Sequence, residues 1–127
     1  MDDKGLDILL VDDEAIVGKR LSAALEKNGH RVEIYDTGRA AIARLAERRF
    51  DIVVTDVRID EIDGLDVLAA VQEHSPRTKT ILITGYATVE VAREALAKGA
   101  FDFIAKPFRP QELRDVIDRA AKELATG

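Results

Sequence analysis

The chain contains no cysteine, which excludes disulfides and thiol chemistry and fits a cytoplasmic protein. No apolar run approaches the roughly 20 residues needed to span a bilayer, so neither a transmembrane helix nor a membrane partner is expected. The opening stretch MDDKGLDILL is acidic and lacks the basic start and small-residue cleavage site of a secretory signal. Positive charge is in deficit as well. Lysine and arginine number 19 against 24 aspartates and glutamates, a net charge of −5. That balance argues against a nucleic-acid surface, and makes a metal the more natural cationic partner than a basic polymer. Internal repeats, low-complexity tracts and linkers are also missing, so residues 1–127 are expected to form one domain.

What is present is a regular alternation. Of the 127 residues, 46% are apolar, enough to build a full core at this length. Five short apolar runs recur: DILLV (7–11), RVEIY (31–35), DIVVT (51–55), TILIT (80–84) and AFDFIA (100–105). The intervening stretches have helical periodicity. Val17, Leu21, Ala24 and Leu25 share one face, with Gly29 a natural stop after Asn28. Ala41, Ile42, Leu45 and Ala46 make a second helix, and Leu65, Leu68 and Val71 a third. Val91, Ala92, Ala95 and Leu96 make a fourth, ending near Gly99. Pro110 suits the first position of a last helix carrying Leu113, Val116, Ile117, Ala120 and Leu124 on one stripe.

Five strand–helix pairs predict a doubly wound α/β fold, a five-stranded parallel sheet with helices on both faces. The continuous runs ILLV, IVV and ILI suit strands buried on both sides. RVEIY alternates, with Val32 and Ile34 on one side and Arg31 and Glu33 on the other, as an edge strand would. Right-handed crossovers then favour the flavodoxin-like strand order 2-1-3-4-5, with its switch point between strands 1 and 3.

Ligands of such sheets bind outside the carboxyl ends of the strands, at the switch point. Asp12 and Asp13 follow the first strand, Asp56 the third, Thr84 the fourth and Lys106 the fifth. Neighbouring strands lie about 4.8 Å apart, so Asp56 sits one strand from the acid pair and one from Thr84. Lys106 starts roughly 10 Å away, a gap its long side chain can largely cover. Carboxylates packed this closely must protonate or share a cation. An oxygen-only set without His or Cys suits a hard ion such as Mg²⁺. A metal and a lysine around one central aspartate suit a phosphoryl group, with Asp56 as the nucleophile. Taken alone, Asp12 and Asp13 serve equally well as a helix N-cap and a favourable first-turn acid. His30 and His74 fall outside this cluster and are expected at the surface.

DDE after the first strand, TDVR after the third, TG after the fourth and KPF after the fifth resemble, jointly, the receiver domain of a two-component response regulator. The resemblance covers the whole chain. It implies that Asp56 accepts phosphate from the phosphohistidine of a histidine kinase or phosphotransfer protein. It implies Mg²⁺ held by Asp13, Asp56 and the backbone carbonyl of Arg58, with Asp12 acting largely through water. Thr84 would reorient towards the phosphoryl group, Lys106 would pair with it, and Phe103 would be the switch aromatic. Arg58 and Tyr86 would tune the phosphate's lifetime, and the Lys106–Pro107 bond would be cis. LITGYATVEVAREALAKGAFDFIAKPF is similar to receivers of nitrogen-regulation-type (sigma-54-dependent) transcription activators, in which ATPase and DNA-binding domains follow. The chain would then be a stand-alone regulator or part of a larger one, a switch rather than an enzyme acting on other molecules.

The loop IDEIDG departs from the family, with Asp60 where a proline is expected. That loosens the loop and adds negative charge, so greater mobility or metal dependence is expected there. The fourth helix is rich in alanine and should pack weakly. Its surface with the fifth strand and fifth helix is expected to change on phosphorylation, and to dimerise or dock a partner. The competing enzyme reading is a phosphatase of the haloacid dehalogenase type. It needs an Asp-x-Asp spacing after the first strand and room for a cap domain, and the chain offers neither. A receiver that has lost its switch is the other alternative, which a failure to bind Mg²⁺ would favour.

Overall fold

The computed structural model describes residues 5–57, 64–85 and 89–126. Strands and helices alternate in five pairs. They are β1 (Asp7–Val11), α1 (Ala15–Lys27), β2 (Arg31–Tyr35), α2 (Gly38–Glu47), β3 (Ile52–Asp56), α3 (Gly64–His74), β4 (Lys79–Thr84), α4 (Val89–Ala97), β5 (Asp102–Ala105) and α5 (Pro110–Thr126). All strand pairings are parallel, in the order β2-β1-β3-β4-β5. The flavodoxin-like topology expected from the sequence is therefore the one observed. The first two strands occupy the expected residues, β3 shifts by one, and β4 and β5 end as expected but start one residue earlier and two later.

The pleat divides the core between two layers. Ile8 and Leu10 of β1 join Ile52, Val54, Ile81 and Ile83 beneath α1 and α5, whose Leu21, Leu25, Leu113 and Ile117 complete that cluster. Leu9 and Val11, one residue out of phase, pack with Val53, Phe50, Ala41, Leu45, Val67 and Val71 on the α2–α3 side. A smaller cluster of Val57, Leu68, Leu82, Ala95 and Ala100 lies beneath α3 and α4. Each face of the sheet thus has its own apolar layer, which is why the central strands read as unbroken apolar runs.

The helix ends follow local chemistry. Thr37 caps α2 by accepting the Ala40 N–H at 3.1 Å. Gly29 and Gly99 adopt positive φ after α1 and α4, the left-handed conformation that ends helices cheaply only with glycine. β2 lies at the edge of the sheet as expected, but its burial does not alternate apolar in, polar out. Ile34 is 40% exposed. Glu33 is half-buried beneath Arg44 and Arg48, accepting from Arg44 Nε at 2.9 Å, Arg48 Nη1 at 2.7 Å and the Tyr35 hydroxyl at 2.8 Å. The Arg44 hydrogen bonds, with help from Tyr35 and Arg48, outweigh burial and hold the Glu33 carboxyl at about 2.

Two predicted helical faces need correction. Leu96 is 52% exposed rather than seated on the sheet, and Ala46 faces solvent. Among the described side chains of α4, Ala95 alone is buried. His30 is half-buried, its Nδ1 accepting the Leu6 N–H at 3.1 Å. The expectation of a surface histidine fails because the chain entering β1 folds back over it. His74 is exposed, as expected.

Candidate functional site

The register of the sheet aligns the strand ends. Val11 pairs with Thr55, Asp56 with Ile83, and Thr84 with Ala105. Three hydrogen bonds carry the ladders one step further: Asp12 N–H to Tyr35 O (3.0 Å), Val57 N–H to Ile83 O and Lys106 N–H to Thr84 O (both 2.8 Å). Asp12, Asp56, Thr84 and Lys106 therefore emerge along one edge. Asp12, Asp56 and Thr84 are buried, whereas Asp13 and Glu14 are exposed. Lys106 crosses the gap foreseen from strand spacing, placing Nζ 2.6 Å from Asp56 Oδ2. The same Nζ lies 3.8 Å from Glu14 Oε1. The Lys106–Pro107 bond is cis.

The N-cap alternative for the acid pair does not hold. Glu14 occupies the N-cap of α1 and makes no side-chain capping bond. Asp12 Oδ1 instead accepts the Glu14 N–H at 2.8 Å, across a two-residue turn. Among the described residues, one acidic group could hold a metal ion. It comprises Asp12, Asp13 and Glu14, whose carboxylate oxygens come within 4.8 Å of one another. Glu14 is thus an acid that sequence reasoning left out, although it completes the DDE triplet.

Burial pushes the Asp12 carboxyl up, more than the Glu14 amide and Lys106 pull it down, and Asp56 and Glu14 add to the rise. Burial works against the Lys106 ammonium, yet its hydrogen bond to Asp56 and the carboxylates of Asp56, Asp12 and Glu14 raise its pKa overall. A buried acid under this strain gains from any cation that shares it. The donors are all oxygens, which fits Mg²⁺ rather than a softer ion.

Comparison with known proteins agrees with this fold. Residues 8–118 match the response regulator receiver domain. The chain belongs to that family. The receiver is 42% identical over 113 residues to the regulatory protein AtoC of Escherichia coli (strain K12), covering 89% of this chain and 24% of AtoC. It is 36% identical over 115 residues to the transcriptional regulatory protein ZraR of the same strain, covering 91% of this chain and 26% of ZraR. The receiver spans about a quarter of the length of these curated relatives. Among solved structures, a CheY-like response regulator receiver domain protein from Methanospirillum hungatei JF-1 superimposes with a TM-score of 0.91. The sequences are 29% identical, over 96% of this chain and 98% of that one.

The remaining expected residues divide in two. Phe103 is half-buried on β5, packed against the cluster of Val57, Leu68, Leu82, Ala95 and Ala100. Arg58, Tyr86 and the loop residues 59–63 lie outside the described residues. Gly64, which ends that loop, has a structural reason the sequence reading passed over. Its N–H donates to Val57 O at 2.7 Å. A Cβ there would stand 2.5 Å from the Asp56 carbonyl oxygen and 2.9 Å from Val57 Cα. Only glycine lets α3 begin directly against the backbone that carries Asp56. The signal was available in the DG pair opening the third helix.

No helix among the described residues is long and apolar enough to cross a membrane.

Proposed function

We propose that this receiver is a phosphorylation-activated switch. Asp56 takes a phosphoryl group from the phosphohistidine of a sensor kinase or phosphotransfer protein. The observation that carries the reading is the Lys106 ammonium 2.6 Å from Asp56 Oδ2, beside the acidic group of Asp12 and Asp13. A lysine held on the central carboxylate, with further acids beside it, is an arrangement for an anion and a cation together. In the transfer, an Asp56 carboxylate oxygen forms a bond to phosphorus while the P–N bond breaks and its electron pair returns to the imidazole of the donor. Lys106 shifts from the carboxylate to the incoming phosphoryl oxygens and balances their charge.

Asp13 and Asp56, with the Arg58 carbonyl and with Asp12 acting through water, are the residues that would hold Mg²⁺. When bound, that ion supplies further positive charge to the transferring group. Thr84 hydrogen-bonds the phosphoryl group and Phe103 follows it inward, while Arg58 and Tyr86 set the lifetime of the phosphate. The surface of α4, β5 and α5 then changes, to dimerise or to engage an output domain or partner. Among the described side chains of α4 Ala95 alone is buried, which supports a helix that can shift at small cost. The catalysis is confined to the chain's own phosphorylation and dephosphorylation, in the cytoplasm. The domain does not itself bind nucleic acid. Its likeness to part of the transcriptional regulatory protein ZraR supports control of transcription where such a receiver is part of a longer chain, and the stretch LITGYATVEVAREALAKGAFDFIAKPF supports the nitrogen-regulation type.

Incubation with Mg²⁺ and a small acyl phosphate, followed by intact mass, tests the reading. One phosphoryl adduct is expected on the wild type and none on Asp56→Asn. No adduct and no consumption of the donor would overturn it. Amide exchange across residues 86–108 is expected to change on phosphorylation, and unchanged exchange would remove the output surface from the proposal.

A further inference from the structure

Glu14 is the acid of the DDE triplet that comes within ion-pair range of the lysine, while Asp12 acts on it from further off. Its backbone is fixed by the bond from its N–H to Asp12 Oδ1 at 2.8 Å. Its carboxylate makes no capping bond, in the position where capping is the usual role. It points instead at Lys106, with Oε1 3.8 Å from Nζ, and shares the metal-sized acidic group with Asp12 and Asp13. Lys106 therefore stands between two carboxylates, Asp56 at 2.6 Å and Glu14 at 3.8 Å.

We infer that Glu14 is a positioning residue that tethers Lys106 and sets the balance of the site between cation and anion. The inference rests on the proposed phosphorylation of Asp56. When Asp56 carries a phosphoryl group, Lys106 must leave Oδ2 for the new oxygens, and Glu14 competes for it from the other side. The same negative charge that attracts a divalent cation to the triplet repels the phosphoryl dianion. Glu14 thus strengthens the hold on Mg²⁺ and weakens the hold on phosphate. Because its side chain is 64% exposed, the influence is screened by water and is sensitive to salt.

This gives a signature that a merely structural role lacks, because the two affinities move in opposite directions. Titration calorimetry is run with Mg²⁺ alone, then with beryllium trifluoride (BeF₃⁻), a phosphoryl mimic, at saturating Mg²⁺. At low ionic strength, Glu14→Gln is expected to bind Mg²⁺ roughly threefold to tenfold more weakly and BeF₃⁻ more tightly by a similar factor. Glu14→Lys should widen both differences, and about 1 M KCl should shrink them. The melting temperature of Glu14→Gln, an exposed near-isostere, should match the wild type. Equal affinities in wild type and Glu14→Gln, or both affinities moving the same way, would overturn the role of Glu14 while leaving the switch intact. A wild type that binds neither Mg²⁺ nor BeF₃⁻ would instead overturn the proposed function, and this inference with it.

Discussion

Glu33 and Asp56 both face cations at close range, and their surroundings differ. Glu33 on β2 accepts hydrogen bonds from two arginines and a tyrosine. Its charge is fully met, and its acidity is accordingly strengthened to about 2. Asp56 on β3 is joined to Lys106, but that lysine also answers to Glu14, and the neighbouring Asp12 is pushed towards its neutral form by burial. The first cluster balances itself. Among the described residues, the second sets Asp56, Asp12 and Glu14 against the single ammonium of Lys106, at the carboxyl edge of the sheet. Stability and chemistry use the same kinds of group here, distinguished by how many acids share each described cation.

That contrast can be broken most sharply at Lys106. Replacing it with methionine keeps the stem and removes the charge. BeF₃⁻ affinity is expected to fall on the order of tenfold to a hundredfold, the worth of a charged hydrogen bond, in the same calorimetric titration. Gly64→Ala comes next. Its new Cβ collides with backbone rather than with a flexible side chain, so denaturant melts should show a loss of about 1–3 kcal/mol. Acyl phosphate labelling of Asp56 should slow as well.

Glu33→Gln should lower the melting temperature by several degrees and leave labelling of Asp56 unchanged. Because the folded-state pKa of Glu33 is depressed, its contribution is complete above the ordinary value of 4.5 and is lost as pH falls towards about 2. Acid melts of wild type should show that loss, and those of Glu33→Gln should not. Asp12→Asn is the mirror case. Burial raises the Asp12 pKa, so its charge opposes folding at neutral pH, and the amide keeps the oxygen that accepts the Glu14 N–H. The metal-free variant should melt a few degrees higher while binding Mg²⁺ more weakly. The smallest effect belongs to His30, whose pKa burial lowers. Stability resting on its neutral ring is complete above about 6.5 and erodes as pH falls towards the lowered value. Urea midpoints measured between pH 7 and 5 should reveal a slope that His30→Gln lacks.

Much of the site is legible in the sequence because strand ends are. A parallel sheet of known order fixes which residues emerge side by side, so Asp12, Asp56, Thr84 and Lys106 could be placed from spacing alone. The reach of Lys106 to Asp56 follows from strand separation and side-chain length. What escapes is set by contacts between elements distant in the chain. Nothing in RVEIY announces that Arg44 and Arg48 will cover Glu33, or that the approach to β1 will bury His30. Leu96 is exposed although periodicity puts it on the face of buried Ala95. Glu14 and Gly64 were readable in principle. DDE contains the first, and the second needed the question of what a Cβ would strike.

The alternation of β1 ties manufacture to performance. Its even residues fill one apolar layer and its odd residues the other, and Asp12 is the next residue out. A chain that paired β1 one residue out of step would exchange the two layers at a stroke and turn the acid away from its partners. No such molecule could keep a sound interior and a faulty switch, or the reverse. The strand acts as an inspector, so that a copy fit to survive is also a copy fit to respond.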